Sequence, residues 1–170
     1  MKMKTKWKIT SFAMIAMLIS CGGGTNEQNN TAETTEESTP QMTTYDSPNS
    51  LYSISVPNEY EQKSTDNVGN LLFQNQDNGV ILTKMYGDAT AEAFHAYVKE
   101  TPSTMPDRYH YNLIEENDSL AEYRITSGLF IMHQFIMWKK GAKYDYFIEA
   151  AAPSMDKDLA LSIYESLQEK

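Results

Sequence analysis

Residues 52–57 alternate between apolar and polar side chains, which is the first strand pattern along this chain. Tyr52, Ile54 and Val56 alternate with two serines, and Pro57 follows them. Alternation with a period of two is typical of a β-strand with one buried face, and proline cannot donate a hydrogen bond to a sheet. The pattern therefore predicts a half-buried strand that ends at Pro57.

Two further apolar runs, residues 71–74 and 80–86, flank the tripeptide Asp77-Asn78-Gly79. An Asn-Gly pair supplies the positive φ values that a tight turn between antiparallel strands needs. We therefore expect these two runs to pair as a β-hairpin.

The next segment changes to a helical pattern. Ala91, Phe94 and Val98 stand at positions i, i+3 and i+7, which places them on one face of a helix. Asp88 precedes them and can cap the helix, and Pro102 follows the last apolar position. We expect a helix here that lays this apolar face on the core.

After this helix come four runs rich in β-branched and aromatic residues, separated by short segments that contain Gly, Asn, Asp or Ser. Such runs with turn residues between them predict four antiparallel strands in a meander. The runs are 109–114, 120–126, 129–138 and 143–151.

A second helical pattern closes the chain. Leu159, Ile163 and Leu167 are spaced by four residues, and Ser154 and Asp156 offer a cap before them. The element order is then strands, helix, strands, helix. This order predicts an α+β domain with a mainly antiparallel sheet and helices on its faces.

The composition divides the chain into three segments. Residues 22–44 contain no aromatic residue and no Leu, Ile or Val, and they are dense in Thr, Glu, Asn and Gln. Such a segment buries too little apolar surface to offset the entropy of ordering. We therefore expect a signal segment at 1–20, a flexible tether at 21–44 and one globular domain at 45–170.

The N-terminal segment has the anatomy of a bacterial secretion signal. Four lysines precede an apolar run of about eleven residues, shorter than the roughly 20 that cross a membrane. Leu18-Ile19-Ser20-Cys21 resembles the bacterial lipobox, whose cysteine receives acyl chains such as palmitate after cleavage. The resemblance implies a lipid anchor on Cys21, the only cysteine of the chain.

The charge of the chain narrows the choice of partners. Loss of residues 1–20 removes four lysines and no acids, so Lys and Arg fall from 14 to 10 against 23 acids, and the net charge becomes −13. An acidic protein without a basic stripe repels nucleic acid and anionic lipid headgroups. We expect no nucleic-acid partner.

The opening of the domain carries a second resemblance. The opening of PsbP-like and DcrB-like domains, an aromatic-rich strand followed by Pro and then Trp, is similar to Tyr45-Asp46, then Leu51-Tyr52-Ser53-Ile54-Ser55-Val56-Pro57 and Tyr60 in place of the usual Trp. The resemblance implies a PsbP-like α-β-α sandwich that serves as a binding or assembly module.

Candidate chemistry is sparse. His133 is the strongest candidate among three histidines, because Leu129, Ile131, Phe135 and Met137 share its predicted face and burial would leave the imidazole in need of a partner. A hydrogen-bonded histidine on the inner face of the sheet is the alternative.

Four tyrosines form a second candidate group. They stand on strands that we expect to be neighbours, and they form either an outward aromatic patch that binds a partner or part of the core. They are Tyr109, Tyr111, Tyr144 and Tyr146. Tyr144 and Tyr146, with His133, are the candidate ligand-binding residues.

Ser119 is a candidate modification site. Asp118-Ser119-Leu120 resembles the acceptor for O-glycosylation in Bacteroidota, and it falls in a predicted exposed turn. No cysteine pair, His-Glu-x-x-His motif or acidic ligand loop is present, so the sequence predicts no metal site and no cofactor.

Together these patterns favour a lipid-anchored protein of the cell envelope with a non-catalytic binding or assembly domain, for which a protein of the envelope is one candidate partner. The expected location is the outer membrane, facing the periplasm, with exposure at the cell surface as the alternative. The competing function is an envelope enzyme, or a small-ligand-binding protein, with a pocket near His133.

Overall fold

A computed structural model of the protein describes residues 40–87 and 89–170. This part consists of two antiparallel sheets and two helices, with a 3-10 turn (Thr101–Thr104) directly after the first helix. In chain order the elements are β1 (Met42–Asp46), β2 (Tyr52–Pro57), β3 (Glu61–Lys63), β4 (Leu71–Gln74), β5 (Val80–Tyr86), α1 (Ala91–Glu100), β6 (His110–Glu116), β7 (Leu120–Ser127), β8 (Phe130–Lys140), β9 (Asp145–Ala152), α2 (Lys157–Ser166) and β10 (Gln168–Glu169).

The larger sheet has seven strands in the order β3-β4-β5-β9-β8-β7-β6, and the smaller has three in the order β1-β2-β10. Every strand pair within them is antiparallel. The predicted fold class is therefore confirmed, and the predicted meander of β6 to β9 ends beside β5.

One core lies between the larger sheet and the layer formed by α2 and the smaller sheet. Ile163 of α2 and Ile54 of β2 are fully buried there, together with Phe135 and Ile148 of the larger sheet. Burial of a side chain of this size contributes about 1.5–3 kcal/mol. These contacts hold α2 and the smaller sheet on one face of the larger one.

A second core lies on the opposite face, beneath α1. Phe94 and Val98 are buried against Phe147, Tyr123 and Ile125 of the sheet. The predicted apolar face of this helix is thus confirmed. Helices cover both faces of one sheet, as in an α-β-α sandwich.

Several boundaries differ from the prediction. β1 begins at Met42, so the boundary expected between residues 44 and 45 falls inside a strand. Met42 and Tyr45 pack on the core, whereas Thr43 and Thr44 are exposed. β1 is therefore an edge strand that contains few apolar residues. β2 is the central strand of the smaller sheet, and its residues are buried on both faces rather than one, except for the half-buried Ser55.

The cap of α1 also differs from the expected one. Thr90 is the N-cap, and its side chain accepts a hydrogen bond from the backbone N–H of Ala93. Asp88 lies outside the described residues. At α2 the expected cap is confirmed, since the side chain of Asp156 accepts from the N–H of Leu159.

The predicted hairpin of β4 and β5 is confirmed, with Gln74 paired to Val80 across a five-residue loop. Asn78 adopts a positive φ of 63°. Gly79 is required for a different reason, because a Cβ at this position would come within 2.3 Å of the Tyr60 hydroxyl. The Asn-Gly pair therefore predicted the position of the turn correctly, although only Asn78 adopts the left-handed conformation.

Neither helix within the described ranges is both long and apolar enough for a passage through a bilayer. The segment expected to be a signal, 1–20, and the lipidation site at Cys21 lie outside the described residues.

Candidate functional site

Three polar side chains meet under the flank of α1, on the face of the sheet that this helix covers. Lys84 comes from β5, Glu149 from β9 and Tyr97 from α1. The two strands are neighbours, and Lys84 pairs with Phe147, two residues before Glu149. This register places the ammonium and the carboxylate diagonally on one face, within reach of each other.

The three groups form a closed triangle of hydrogen bonds. The Lys84 Nζ lies 2.6 Å from Glu149 Oε1 and 2.6 Å from the Tyr97 hydroxyl. The Tyr97 hydroxyl in turn donates to Glu149 Oε1 at 2.5 Å. Only 18% of the Lys84 side chain and 16% of the Glu149 side chain are exposed, so solvent screens this ion pair little.

Burial and the nearby charge of Glu149 both disfavour ionisation of the tyrosines around it. Burial, reinforced by the charge of Glu149 and the hydrogen bond to it, raises the pKa of Tyr97 far above its usual range. Burial and the same charge raise the pKa of Tyr86 to about 12. Both phenols are protonated at neutral pH, and Tyr97 acts as a hydrogen-bond donor.

Gln134 of β8 extends this network into the core. Its Nε2 donates to Glu149 Oε2 over 3.4 Å, and the residue is only 3% exposed. Its Oε1 is buried without a hydrogen-bond partner in the described part of the chain. We name Lys84, Tyr97, Gln134 and Glu149 the polar network of α1.

This arrangement has the chemistry of a structural ion pair. A nucleophile or general base needs a lone pair that is available near neutral pH. Here the lysine and the carboxylate contact each other, and the phenol keeps its proton. The network fixes α1 on the sheet.

His133 lies on the expected face of the sheet, with Phe135 and Met137, but beyond the end of the layer that covers this face. Its side chain is 36% exposed, and its Nδ1 lies 3.3 Å from Glu122 Oε1 on the neighbouring strand β7. The core on this face includes Phe135 and Met137 but stops there, because Ile131 is 43% exposed. His133 is therefore half-exposed rather than buried, and it has a hydrogen-bond partner, as the alternative expected.

The candidate ligand-binding residues do not come together. His133 pairs with Ala152 at one end of β9, whereas Tyr146 lies six residues earlier on that strand. At about 3.3 Å per residue this is roughly 20 Å. Tyr144 precedes the start of β9 and is further still from His133. The structure therefore contains no single site formed by His133, Tyr144 and Tyr146.

The four tyrosines also do not form one patch. Strands β9 and β6 are separated by β8 and β7, so the expectation that they are neighbours is wrong. Tyr109 and Tyr111 pack against the core beneath α1, whereas Tyr144 and Tyr146 belong to the core on the opposite face. Of the two alternatives, an outward aromatic patch or a part of the core, the structure shows the second for these side chains.

Tyr146 is linked to the last strand through Glu169. The Glu169 carboxylate accepts hydrogen bonds from the backbone N–H groups of Ala142, Lys143 and Tyr144, at 2.7 to 3.2 Å. The Tyr146 hydroxyl donates to it at 3.3 Å. Partial desolvation opposes ionisation of Glu169, but these donors outweigh it and lower the pKa of the carboxyl. We name this contact the Glu169 clasp.

The remaining candidates are placed as follows. Ser119 is half-buried in the turn between β6 and β7, where its N–H donates to the Asn117 side chain and its carbonyl accepts from Trp138. Across residues 40–87 and 89–170, no three His, Cys, Asp or Glu side chains gather as metal ligands would.

Sequence reasoning missed both the polar network of α1 and the Glu169 clasp. Lys84 and Glu149 are single charged residues within otherwise apolar strand runs, and that is the signal that could have drawn attention to them. Their pairing could not be read from the sequence, because they stand 65 residues apart.

Comparison with known proteins places the fold. No protein-family model and no curated protein matches the chain. Among solved structures, the cyanobacterial PsbP protein (CyanoP) of Synechocystis sp. PCC 6803 is similar at 15% identity and a TM-score of 0.57, covering 90% of this chain and 99% of that one.

Two further structures share the fold. The Ran-binding protein Mog1p of Saccharomyces cerevisiae is 9% identical with a TM-score of 0.54, covering 77% of this chain and 96% of that one. A protein of Bacteroides thetaiotaomicron is 14% identical with a TM-score of 0.50 over 75% of this chain, which spans 48% of that structure. The domain thus has a PsbP-like fold, as the resemblance of its opening segment implied.

Proposed function

We propose that this protein is a lipid-anchored lipoprotein of the bacterial cell envelope and that its domain is a non-catalytic binding or assembly module. The anchor is the thiol of Cys21, which the lipobox-like Leu18-Ile19-Ser20-Cys21 presents after a lysine-rich apolar segment. The outer membrane, facing the periplasm, is the proposed location, with a protein of the envelope as the partner.

The observation that carries the non-catalytic part is the closed polar network of α1. Lys84, Tyr97 and Glu149 are partly buried, and each is hydrogen-bonded to the other two. An active site keeps such groups available for substrate, whereas a scaffold uses them to fix its elements. The network therefore supports a rigid module that presents surfaces.

The fold gives independent support. Mog1p, which shares it, is a Ran-binding protein, so the same architecture serves to bind another protein in that case. Fold alone does not determine function, and the partner of this chain must be found by experiment.

The test is crosslinking in cells followed by affinity capture and mass spectrometry. The native chain is compared with its Cys21→Ser variant, which cannot be acylated. A partner captured with the native chain and lost with the variant would support an assembly role at the membrane. Equal capture by both forms would contradict the dependence on the anchor.

A further inference from the structure

The outer edge of β6 is a strand edge to which another strand can be added. β6 ends the larger sheet and, among the described residues, pairs with β7 alone. It has seven residues, whereas the other edge strands, β1, β3 and β10, have five, three and two. Every second residue of an edge strand turns its N–H and C=O groups outward, where a further strand can pair with them. β6 is therefore the longest edge strand of the described chain.

β6 also exposes two large apolar side chains. Leu113 is 44% exposed and Ile114 is 51% exposed, and no other edge strand within residues 40–87 and 89–170 carries an exposed large apolar residue. The register with β7 shifts between Leu113 and Glu115, which is a β-bulge. A bulge commonly protects an edge from pairing, but a protected edge does not present two adjacent large apolar side chains. Their exposure favours a partner that covers β6.

The side chains of β6 divide between the two faces of the sheet. His110, Asn112 and Glu115 pair with alternate residues of β7, so they share one face. Tyr111 and Leu113 share the other face, which α1 covers. Residues directly opposite each other on neighbouring strands point to the same face. This division limits the registers in which β6 can accept a further strand.

We propose that β6 pairs with β6 of a second copy of this chain, antiparallel, with Asn112 opposite itself on a two-fold axis. In this register Tyr111 lies opposite Leu113 of the second copy and, beyond the bulge, His110 lies opposite Glu115. Each pair consists of residues from one face, so the two larger sheets join into one. The two-fold axis forms each of these contacts twice.

The charges along β6 favour this antiparallel pairing. The end at which the strand begins carries Arg108 and His110 against one acid, Asp107. The end at which it finishes carries three acids: Glu115, Glu116 and Asp118. Antiparallel pairing places the first end of each copy beside the second end of the other, so unlike charges meet at both ends of the junction.

Three features make this a weak dimer. Lys157 and His95 already contact Glu115 and Glu116 of their own chain, which reduces the charge that these acids offer to a second copy. One strand from each copy is far fewer than the roughly 20–30 residues that each side gives to a stable interface. The net negative charge of both copies opposes association, although physiological salt screens it beyond about 8 Å.

The experiment is disulfide crosslinking of the full chain with Cys21→Ser, so that an introduced cysteine is the only thiol. In the proposed register the Cα atoms of the two copies of residue 112 lie about 4.5–5.5 Å apart, a distance that a disulfide joins. The two copies of residue 110 are four residue steps apart, roughly 13 Å, which is too far. On oxidation with copper phenanthroline, Asn112→Cys should form covalent dimers about tenfold faster than the matched control His110→Cys, or faster still.

A charge on the edge should remove this difference. Leu113→Lys, added to the chain with Asn112→Cys, should lower the crosslinking rate to that of His110→Cys, because a lysine on an edge strand opposes strand pairing. Val68→Lys is the matched control, because Val68 is 68% exposed and lies between β3 and β4, and it should leave the rate unchanged. Far-ultraviolet circular dichroism checks the fold, and Ile114→Lys replaces Leu113→Lys if that variant unfolds.

The outcomes are distinct. Equal rates for Asn112→Cys and His110→Cys would indicate random collision of thiols and overturn the dimer. A fast rate that neither lysine on β6 reduces would also overturn it. Equal rates together with slower amide exchange of 110–116 in the presence of an envelope extract would assign the edge to a different protein. The lipid anchor is not involved in any of these results, because Cys21→Ser is present throughout.

Discussion

Glu149 holds the polar network of α1 together, because Lys84 and Tyr97 both contact its Oε1 atom. The substitution Glu149→Gln keeps the shape of the side chain and leaves the Lys84 ammonium largely buried without a counter-charge. Removing one partner of a buried pair costs about 3–5 kcal/mol, and the partial exposure here reduces the expected loss to about 2 kcal/mol. Urea unfolding at neutral pH measures it.

An exposed pair provides the control for this prediction. Glu61 and Lys63 lie 2.7 Å apart, with 74% and 41% of their side chains exposed. Glu61→Gln should change the free energy of unfolding by less than about 1 kcal/mol. Equal losses for the two variants would contradict a special role for Glu149.

The Glu169 clasp makes the thermal stability of the domain depend on pH in the acidic range. The pKa of this carboxyl is lowered in the folded state, so its contribution is complete above about 4.5, its ordinary value. The contribution is lost as the pH falls below that value and through the lowered pKa. We expect the melting temperature of Glu169→Gln to lie below that of the native chain at pH 7 and to approach it near pH 3. A difference that is the same at both pH values would rule out the clasp.

The hairpin of β7 and β8 depends on the left-handed conformation of Gly128. A side chain in this conformation costs about 1–2 kcal/mol, so Gly128→Ala should destabilise the domain by about that amount. Gly87→Ala is the control, because it too has open space around its Cβ but no positive φ. Chemical denaturation of the two variants compares them, and an equally mild effect at Gly128 would show that the turn relaxes.

The elements with strong local patterns were predictable from the sequence. Strand β2, the hairpin of β4 and β5, the meander and both helices follow from periodicity and turn residues. Strands β1, β3 and β10 were missed, since they have five, three and two residues and are mostly polar. Their place comes from pairing with distant strands, which no local pattern encodes.

The candidate site was less predictable for the same reason. A histidine in an apolar run suggested burial at His133, but the covering layer ends at Phe135. Where a layer ends depends on the packing of α2 and the smaller sheet across the larger one. The order of strands likewise separates Tyr109 from Tyr146, although the sequence suggested neighbouring strands.

The two cores share the strands β8 and β9, so the described domain should unfold as one cooperative unit. Phe94→Ala on the α1 side and Ile163→Ala on the α2 side should each cost about 2–5 kcal/mol. In both variants, tryptophan fluorescence and far-ultraviolet circular dichroism should report the same midpoint in urea. A fluorescence transition that precedes the loss of secondary structure would show that α1 detaches independently.

The anchor at Cys21 is the central claim for the molecule as a whole, since the proposed location and the proposed partner both depend on it. Intact-mass spectrometry of the chain purified from the membrane fraction of its native cells tests it most directly. The account predicts a mature chain that begins at Cys21 and carries the mass of a diacylglycerol group. A chain without that mass, recovered in the soluble fraction, would contradict it.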